Sequence, residues 1–531
     1  MDSTTDNQKQ DAGVVAARSV AVIELGTTSI RMAIAQIGPG EAIHVIESLH
    51  QAVSLARDTF TDGLIDNETI EECVKALRSF RHVLQEYGVP VEEVRAVATS
   101  AVREASNRDA FLDRLYIATG INVRSIDGAE VNRYTYAAVH PLFAKYGFLK
   151  ESDTLIVEVG GGSTEVLQFA FGHVANSLTY RLGSLRLRNA LGTSSLSDQR
   201  MRQIMRDQID RAMKQVVLAA GSHTDVKVVA LGGDMRLACD RLIDKWEEKD
   251  LAKVSVAALS KLANQVIRQS VDDVVKDFHI SYPEAETLGP ALQVYVRLAG
   301  ALGLSSIHAA KVTLRDGVLA EVAAHGTLAE DFRQQVINSA LETGARYDFD
   351  RSHAEQVAAI CRQLFEALRD EHRLDNRHEL LLVAAAILHE IGSFVSNRAH
   401  HKHSMYLILN SDVFGLGSED LALVALVARY HRRAMPKVSH EVYATLSRED
   451  RVAVMKMAAI VRVADAIARG TSQPRKMQIK VEQGTVTIAI ESTGSLAVEQ
   501  YALRQKGELF ERTYGMRIVL RGVRRRRRAA T

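Results

Sequence analysis

The chain has 531 residues, of which 47% are hydrophobic and 25% carry a formal charge. This length predicts two to four compact units, each with its own core, and the composition excludes a mostly disordered or fibrous chain. The 66 Lys and Arg residues against 65 Asp and Glu residues leave a formal net charge of +1, so a polyanion would need a local basic groove rather than the field of the whole molecule.

Two apolar stretches in the first part of the chain follow the same plan. Each reads as a short buried strand that stops at a glutamate and continues through glycine and hydroxyl residues. Further strands, such as residues 94–98 and 226–231, alternate with helical patterns around them. This alternation predicts an α/β fold made of two halves of similar design. The two strands are residues 20–23 and 154–157, and the predicted halves are residues 19–140 and 141–328.

The rest of the chain differs in character. Long amphipathic patterns rich in Ala and Leu run over residues 329–476 and predict a separate all-helical domain. Residues 477–520 contain short stretches of alternating apolar and polar positions, which predict a small β-rich α+β domain. At the two ends, residues 1–18 read as a flexible leader and residues 521–531 as a basic tail.

Cysteine usage and the two ends of the chain indicate a compartment. The three cysteines are far apart and odd in number, so neither a disulfide framework nor a cysteine zinc site fits, and we expect the reducing cytoplasm. No segment has the pattern of a secretory signal or a membrane span, so we expect no membrane partner. Five consecutive arginines at 524–528 are typical of a solvated terminus, with contact to nucleic acid or acidic lipid as the alternative. We expect no nucleic-acid partner. The cysteines are Cys73, Cys239 and Cys361.

The two strand-to-turn segments are candidates for phosphate binding. A buried strand that turns through Gly and Ser or Thr brings backbone N–H groups and hydroxyls together, and glycine lets the backbone approach an anion closely. The glutamates at the strand ends, Glu24 and Glu158, can hold a hard cation through oxygen, and we expect Mg²⁺. Ordinary tight turns and solvated glutamates are the alternatives. The candidate phosphate-binding residues are Gly26, Thr27, Thr28 and Ser29 in the first turn and Gly160, Gly161, Gly162, Ser163 and Thr164 in the second.

Six short segments follow one another in a recognisable order. The second contains Ala-Thr-Ser-Ala-Val-Arg-Glu-Ala, and the third contains Gly-Gly-Gly-Ser-Thr-Glu. The segments are residues 22–31, 96–105, 157–165, 182–187, 230–234 and 314–319. In combination they resemble the exopolyphosphatase / guanosine pentaphosphate phosphohydrolase family, which belongs to the actin, sugar-kinase and Hsp70 ATPase superfold. The resemblance spans most of the chain.

The resemblance implies a fold and a set of catalytic groups. It implies two actin-like, ribonuclease H-like subdomains followed by an HD-like helical domain. In the family, the arginine of the second segment and the Ser, Thr and Glu of the third face the phosphoanhydride. Arg103 would offer a charge-assisted fork to phosphate oxygens, and Glu165 would orient water or Mg²⁺. A surface ion pair and a helix N-terminal cap are the alternatives. The expected catalytic residues are Glu130 as the base, Arg103 and Glu165.

The chain departs from the family pattern at its carboxylates. Members usually carry Asp where this chain has Glu24 and Glu158, and Ser-Asn where it has Thr27 and Thr28. Each Glu moves its carboxylate outward by one methylene, and a misplacement of about 1 Å can cost roughly 100-fold in rate.

A second departure concerns the base. The family's catalytic glutamate lies in a Gly-x-Glu-Glu-Ala-Arg stretch, of which this chain keeps only the first Glu, as Glu130. Val131 stands in place of the second and cannot act as a base. Glu284 also stands where an anion-binding Arg is common in the family. We expect Glu130 to take the role of base.

The helical domain carries its own candidates. An HD-type metal site needs a His, an adjacent His-Asp and a distant Asp, and the candidates are His353, His389 with Glu390, and Asp465. His and carboxylate ligands suit Mn²⁺, Fe or Zn²⁺. Glu390 replaces the Asp, as is common in this family, whose HD-like domain is regarded as mainly structural. A basic group could line a channel for long polyanions, the alternative being an exposed helix start or core histidines. This group comprises Arg398, His400, His401, Lys402 and His403.

Three functions fit these observations. The leading interpretation is an exopolyphosphatase-type hydrolase that releases terminal phosphate from inorganic polyphosphate, with guanosine pentaphosphate as a further substrate and Mg²⁺ as cofactor. We expect a homodimer, because a dimer would lengthen the groove for an extended chain. The alternative is a catalytically weakened paralogue that binds polyphosphate or an alarmone as a sensor or regulator, which the residues Glu24, Glu158 and Val131 favour. A nucleotide-dependent kinase or ATPase with an adenosine pocket at residues 232–234 is the third.

Overall fold

The computed structural model describes residues 18–192, 198–220, 226–247, 250–324, 330–469, 477–491 and 495–523. The leader predicted over residues 1–18 lies outside these ranges except for Arg18, which begins the first strand. The arginine run at 524–528 lies wholly outside them. Within the described ranges, every helix is too short or too polar to cross a membrane.

The first half of the α/β region is built on a five-stranded mixed sheet. Its elements are β1 (Arg18–Leu25), β2 (Ser29–Ile37), β3 (Ile43–Ala52), α1 (Leu55–Asp62), α2 (Asn67–Glu86), β4 (Val94–Ala98), α3 (Ser100–Glu104), α4 (Arg108–Thr119), β5 (Val123–Ser125) and α5 (Gly128–Lys145). The strand order is β3-β2-β1-β4-β5. β1 is antiparallel to β2 and parallel to β4, and its apolar run is buried on both faces, as central strands in α/β folds are.

The second half repeats this plan. Its elements are α6 (Phe148–Glu151), β6 (Asp153–Val159), β7 (Thr164–Ala170), β8 (His173–Tyr180), α7 (Ser184–Gly192), α8 (Asp198–Ala220), β9 (Val226–Leu231), α9 (Gly233–Leu242), β10 (Ala252–Ser255), α10 (Val256–Val266), α11 (Val271–Phe278), α12 (Tyr282–Ala301), β11 (Ser306–Ala309) and α13 (Leu314–Ala323). The order β8-β7-β6-β9-β11 matches that of the first sheet, with β10 added at the edge. The predicted duplicated α/β fold is therefore confirmed.

Two helices connect the halves. α13, which follows the last strand of the second half, packs its Val318 against Val20 and Val22 of β1 in the first half. It crosses α5 so closely that a Cβ added at Gly317 would collide with the carbonyl oxygen of Tyr134. The predicted boundary at residue 328 assigns α13 to the second half by its position in the chain. In the structure, α13 packs on the sheet of the first half.

The helical domain follows as expected from its amphipathic patterns. Its helices are α14 (Glu330–Arg346), α15 (Arg351–Ala367), α16 (Arg369–His372), α17 (Asn376–Leu388), α18 (His400–Leu409), α19 (Ser418–Arg429), α20 (Glu441–Ala444) and α21 (Arg448–Ala468). Residues 380–388 of α17 are all buried, which explains their unbroken apolar run. Short 3₁₀ turns occur at Pro39–Glu41, Val91–Glu93 and Ile391–Phe394.

A small α+β unit ends the described chain. It contains β12 (Met477–Glu482), β13 (Thr485–Glu491), α22 (Ala497–Lys506), α23 (Glu508–Tyr514) and β14 (Arg517–Val523). Its three strands form one sheet in the order β12-β13-β14. The apolar faces of this unit, of the helical domain and of β7 and β8 share one continuous buried core, so these regions pack against one another directly.

Candidate functional site

A cavity of about 550 Å³ lies between the two halves, at the carboxyl ends of β1 and β6. Both strand-to-turn segments line it, together with the first turns of α3, α9 and α13. This is the position at which open α/β sheets bind their ligands. Among the predicted site residues, those that line the cavity are Glu24, Gly26, Thr27, Thr28, Ser29, Arg103, Glu158, Gly160, Gly161, Ser163 and Glu165.

The two turns have the same backbone geometry. The N–H of Gly26 donates to the carbonyl of Ser29, and the N–H of Gly160 donates to the carbonyl of Ser163, both at 2.9 Å. A Cβ at Gly26 or Gly160 would lie 3.2 or 3.3 Å from that carbonyl oxygen, which is tighter than ordinary van der Waals contact. Glycine at these positions therefore lets each turn close tightly at the cavity wall.

The second turn also packs directly against the first half. A Cβ at Gly161 would collide with the Thr27 side chain, and one at Gly162 would collide with Ser100 Oγ. Arg186 Nε donates to the Gly162 carbonyl at 2.9 Å and holds the turn from behind. Gly162, predicted as a phosphate ligand, is outside the cavity lining. Its glycine instead allows the two halves to approach closely.

The hydroxyls of the turns differ in their hydrogen bonding. Ser29 is 2% exposed, and its Oγ has no hydrogen-bond partner among the described residues, so it is available to a ligand in the cavity. Ser163 Oγ donates to Glu165 Oε1 at 2.6 Å. Thr164 donates to the carbonyl of Leu182 and does not line the cavity, contrary to its predicted role as a phosphate ligand.

Three carboxylates face the cavity from the paired strands. Glu158 and Glu165 are opposite each other in the β6–β7 register, and Glu24 lies across the cavity on β1. Burial raises the pKa of Glu158 to about 7, and the charges of Glu165 and Glu24 add to the shift. Burial also raises the pKa of Glu165, against the hydrogen bond from Ser163 and the charge of Arg103. Oxygen ligands that repel one another in this way match the requirements of a hard divalent cation such as Mg²⁺.

Four cations that sequence reasoning did not single out also line the cavity. Arg315 donates to Glu24 at 2.5 Å, and Arg31 lies 3.4 Å from Glu284. Burial lowers the pKa of Arg236, and the charge of Arg31 adds to this effect. Arg31 and Arg315 lie within the segments 22–31 and 314–319, so the motif segments offered a sequence signal for two of the four cations. The four cations are Arg31, Arg236, Lys311 and Arg315.

Arg103 lines the same cavity. Its guanidinium donates to the carbonyl of Ile126 at 2.7 Å and lines the cavity near Glu165. Crowded cations and glycine turns together form a polar pocket suited to a multiply charged anion.

The structure does not bring Glu130 to the cavity. Glu130 is the third residue of α5, where it accepts a hydrogen bond from the Asp127 N–H at 3.1 Å and pairs with Arg124. Val131, one residue further along the helix, faces the cavity instead. Successive residues of a helix are about 100° apart, so a side chain that caps the helix start cannot share the direction of its neighbour.

Two further expectations concern the rim of the same cavity. Glu284 lines it and pairs with Arg31 and with His50, each at 3.4 Å, so a carboxylate takes the place of the family's common arginine. Residues 232–234, considered as an adenosine pocket, open into the same cavity as the two turns. Asp234 accepts a hydrogen bond from Thr287 at 2.9 Å, and burial raises its pKa to about 6.

The helical domain brings its predicted metal candidates together. One ligand atom each from His353, His389, Glu390 and Asp465 lies within 4.8 Å of the others. His353 Nε2 lies 3.6 Å from Asp465 Oδ1 and 3.9 Å from Glu390 Oε2. Asp465 also accepts from Lys506, a residue that the sequence had not singled out.

The predicted basic channel is divided by the structure. His400 Nε2 points to His431 Nε2 at 3.2 Å, whereas Lys402, two residues later on α18, is exposed. His400 and Lys402 therefore face different surroundings and do not line one common groove.

Comparison with known proteins places these features in a family. A sequence model described as the Ppx/GppA phosphatase family matches residues 33–325. A second model, described as Ppx/GppA phosphatase domain III, matches residues 333–506. The two matches cover most of the α/β region and the helical domain with part of the C-terminal unit.

Relatives and a solved structure agree with these matches. A protein of Pseudoalteromonas translucida named guanosine-5'-triphosphate,3'-diphosphate pyrophosphatase is 26% identical over 439 residues, which is 78% of this chain and 81% of that protein. A protein of the same name from Aeromonas hydrophila is 26% identical over 408 residues, 74% of this chain and 77% of that protein. The crystal structure of an exopolyphosphatase from Cytophaga hutchinsonii has a similar fold, with a TM-score of 0.53 at 20% identity over 58% of this chain and 98% of that chain.

Proposed function

Because the chain belongs to the Ppx/GppA phosphatase family, we propose that its cavity hydrolyses the terminal phosphoanhydride bond of inorganic polyphosphate, and that guanosine pentaphosphate is a further substrate. The single observation that carries this proposal is the convergence of two matched glycine turns, six carboxylates and five Lys or Arg side chains on one cavity. Such a cavity suits a short stretch of a phosphate chain and the groups needed to stabilise charge on it.

The turns and the arginines would bind the phosphate oxygens. Backbone N–H groups and the unpartnered hydroxyl of Ser29 are short-range donors, and the guanidinium of Arg103 is a charge-assisted donor. Because donors preorganised around a developing charge favour the transition state over the ground state, this wall would supply most of the rate enhancement.

The carboxylates would divide the remaining roles. Glu24 and Glu158 offer carboxylate oxygens, the ligands that Mg²⁺ prefers, and the pKa of Glu158 is raised by burial and further by the charges of Glu165 and Glu24. When bound, Mg²⁺ would neutralise charge on the phosphate oxygens. We assign Glu165 to orienting the attacking water, because Ser163 fixes one of its oxygens at 2.6 Å and Arg103 acts on it electrostatically.

A second function is favoured by one observation. Val131 faces the cavity at the position that carries the second Glu of the family stretch, while Glu130 is engaged in the helix cap. A cavity that binds the phosphate chain but lacks this carboxylate would turn over slowly. The chain would then act as a sensor or regulator of polyphosphate or of an alarmone.

Phosphate release from long-chain polyphosphate with Mg²⁺, measured beside polyphosphate binding by calorimetry, tests both functions. Glu165→Gln should lower release by about 10²-fold or more while binding persists, because only the water-orienting oxygen is lost. Glu130→Gln is the matched control, since Gln keeps an oxygen for the helix cap, and its rate should stay within about twofold of wild type.

The outcomes separate the alternatives. Release that is lost in Glu165→Gln and kept in Glu130→Gln supports hydrolysis in this cavity. Tight binding without release in the wild type supports the sensor. Release that is lost in Glu130→Gln would return the role of base to Glu130, and release from ATP alone would support the nucleotide-dependent rival.

We further propose that the chain acts in the cytoplasm as a homodimer. Its three cysteines are free and buried, which fits a reducing compartment. A dimer would extend the polar groove for a long polyphosphate chain. Light scattering coupled to size-exclusion chromatography measures the oligomeric state, and a monomeric mass would contradict the dimer.

A further inference from the structure

The helical domain contains a second group of converging ligands, remote in sequence from the cavity. Two sets of side chains there each bring their ligand atoms within 4.8 Å of one another, and they share one carboxylate. The first set is His353, His389, Glu390 and Asp465, and the second is Glu390, His400 and His431. Five elements supply these residues: α15, the end of α17, the start of α18, the end of α19 and α21.

The backbone hydrogen bonds of the histidines define which ring nitrogen faces the centre. His389 Nδ1 is 2.7 Å from the carbonyl of Ala386, and His431 Nδ1 is 2.6 Å from the carbonyl of Ala428. A carbonyl only accepts, so each Nδ1 carries the proton and each neutral ring presents the lone pair of Nε2. The same arrangement, with the other ring nitrogen bonded to a carbonyl, orients histidines that bind metals.

Two buried atoms at the centre make no hydrogen bond among the described residues, although His353 Nε2 and Arg469 Nε lie 3.6 and 3.5 Å from one of them, Asp465 Oδ1. His389 is 1% exposed and Asp465 is 0% exposed, yet His389 Nε2 and Asp465 Oδ1 have no hydrogen-bond partner among the described residues. Native proteins rarely leave such buried polar atoms unpaired. A cation bound between these two atoms would satisfy both of them.

The contact between His400 and His431 is also consistent with a bound cation. Their Nε2 atoms are 3.2 Å apart, and His400 Nδ1 lies 3.3 Å from the carbonyl of Asn397. With both Nδ1 atoms protonated, two lone pairs face each other at this distance. In this tautomer a cation bound by both Nε2 atoms removes the repulsion, whereas a proton on His400 Nε2 would make the contact an ordinary hydrogen bond.

We propose that these residues form a dinuclear metal site in which Glu390 bridges two divalent transition-metal ions. His353, His389 and Asp465 complete the first ion's protein ligands, and His400 and His431 complete those of the second. The mixture of imidazole and carboxylate suits Mn²⁺, Fe²⁺ or Zn²⁺ rather than Mg²⁺ or Ca²⁺, which take oxygen ligands. This site is separate from the cavity and does not depend on its proposed function.

The ligand atoms already lie close to the positions that they would take around a bound metal ion. Ligand atoms around a metal at about 2.1 Å are about 3–3.5 Å apart, and His353 Nε2 lies 3.6 Å from Asp465 Oδ1. Lys506 donates to the other oxygen, Oδ2, and so aims Oδ1 at the histidines. Arg469 Nε lies 3.5 Å from Oδ1, but its side chain is half exposed and can turn to solvent. Glu390, which is 35% exposed, leaves a path for ions to enter.

Manganese content and electron paramagnetic resonance test the proposal. The full chain, with Glu24→Gln and Glu158→Gln to remove binding in the cavity, is stripped with a chelator, loaded with Mn²⁺ and freed of unbound metal. This background protein should retain about two Mn²⁺ per chain with the signal of a spin-coupled pair.

Neighbouring histidines of α18 provide the matched pair of variants. His400→Gln should lose one ion and the coupled signal, whereas His401→Gln, one residue away, should keep both. His389→Gln should weaken Mn²⁺ binding at least on the order of 100-fold. Loss of a residue that only hydrogen-bonds a metal ligand already lowers metal affinity by about 10–100-fold. If His389→Gln does not fold by circular dichroism, the partly exposed Glu390→Gln decides, because loss of the bridge should abolish the coupled signal.

Three results would overturn the proposal. The background protein could retain no Mn²⁺ and, on repetition, no Zn²⁺, which would make the group a buried ion pair between Asp465 and Lys506. His400→Gln and His401→Gln could retain equal amounts of metal. A single uncoupled ion, unaffected by Glu390→Gln, would exclude the shared carboxylate.

Discussion

The two halves of the α/β region repeat the same strand order and the same turn, yet they differ at one cross-strand pair. In the first half Glu24 is opposite Arg31, and in the second half Glu158 is opposite Glu165. The first pair has one charge of each sign, and its members pair with other residues, Glu24 with Arg315 and Arg31 with Glu284. The second pair places two carboxylates together, and the charge of Glu165 adds to burial in raising the pKa of Glu158 to about 7. Equivalent cross-strand positions in the two halves of a duplicated fold can therefore carry different charges.

The largest expected change comes from restoring a carboxylate on the first-half side of the cavity. Val131→Glu should raise the rate of phosphate release by about 100-fold, because a positioned base contributes roughly 10²–10⁴-fold. The rate is measured with long-chain polyphosphate and Mg²⁺. Val131→Leu, which adds volume but no base, is the control. Equal rates in the two variants would show that the missing carboxylate does not limit turnover.

The next prediction separates two neighbouring glycines of the second turn. Gly161→Ala should lower the free energy of unfolding by about 2 kcal/mol, because its Cβ would collide with Thr27. Gly160→Ala should cost less, since its Cβ would lie 3.3 Å from the Ser163 carbonyl. Urea denaturation measures both. Adding Thr27→Gly should rescue Gly161→Ala, and a failure of that rescue would contradict the contact between the halves.

A smaller effect follows from the raised pKa of Glu158. Between about pH 4.5 and pH 7 the folded protein holds a proton on this carboxyl that the unfolded chain has released. The free energy of unfolding should therefore fall as pH rises through this window, and Glu158→Gln should flatten the slope. Asp234, with a pKa of about 6, acts in the same direction, so the double variant with Asp234→Asn should be flatter still. Urea midpoints at pH 5 and pH 7.5 measure the slope, and an unchanged slope in Glu158→Gln would contradict the assignment.

Much of the fold and part of the site followed from the sequence. The two strand-to-turn segments predicted the duplication because each carries its own local signal, an apolar strand that ends in a carboxylate and a glycine turn. Motif order singled out Arg103 and Glu165, and both line the cavity, while their catalytic roles stay predictions. The sequence did not show that Glu130 lies outside the cavity lining, because adjacent helix positions face different directions and only the cap on Asp127 shows which of the two residues turns away.

The amino-acid sequence by itself determined the α/β repeat, the helical domain and the chemistry of the turns, because strand burial and helix amphipathicity are recorded in the local order of residues. Only the tertiary structure decided which cations face the cavity, that α13 packs on the first sheet, and that six histidines and carboxylates of the helical domain converge. These features join residues that are far apart in the chain, and their side-chain directions depend on how helices and sheets pack.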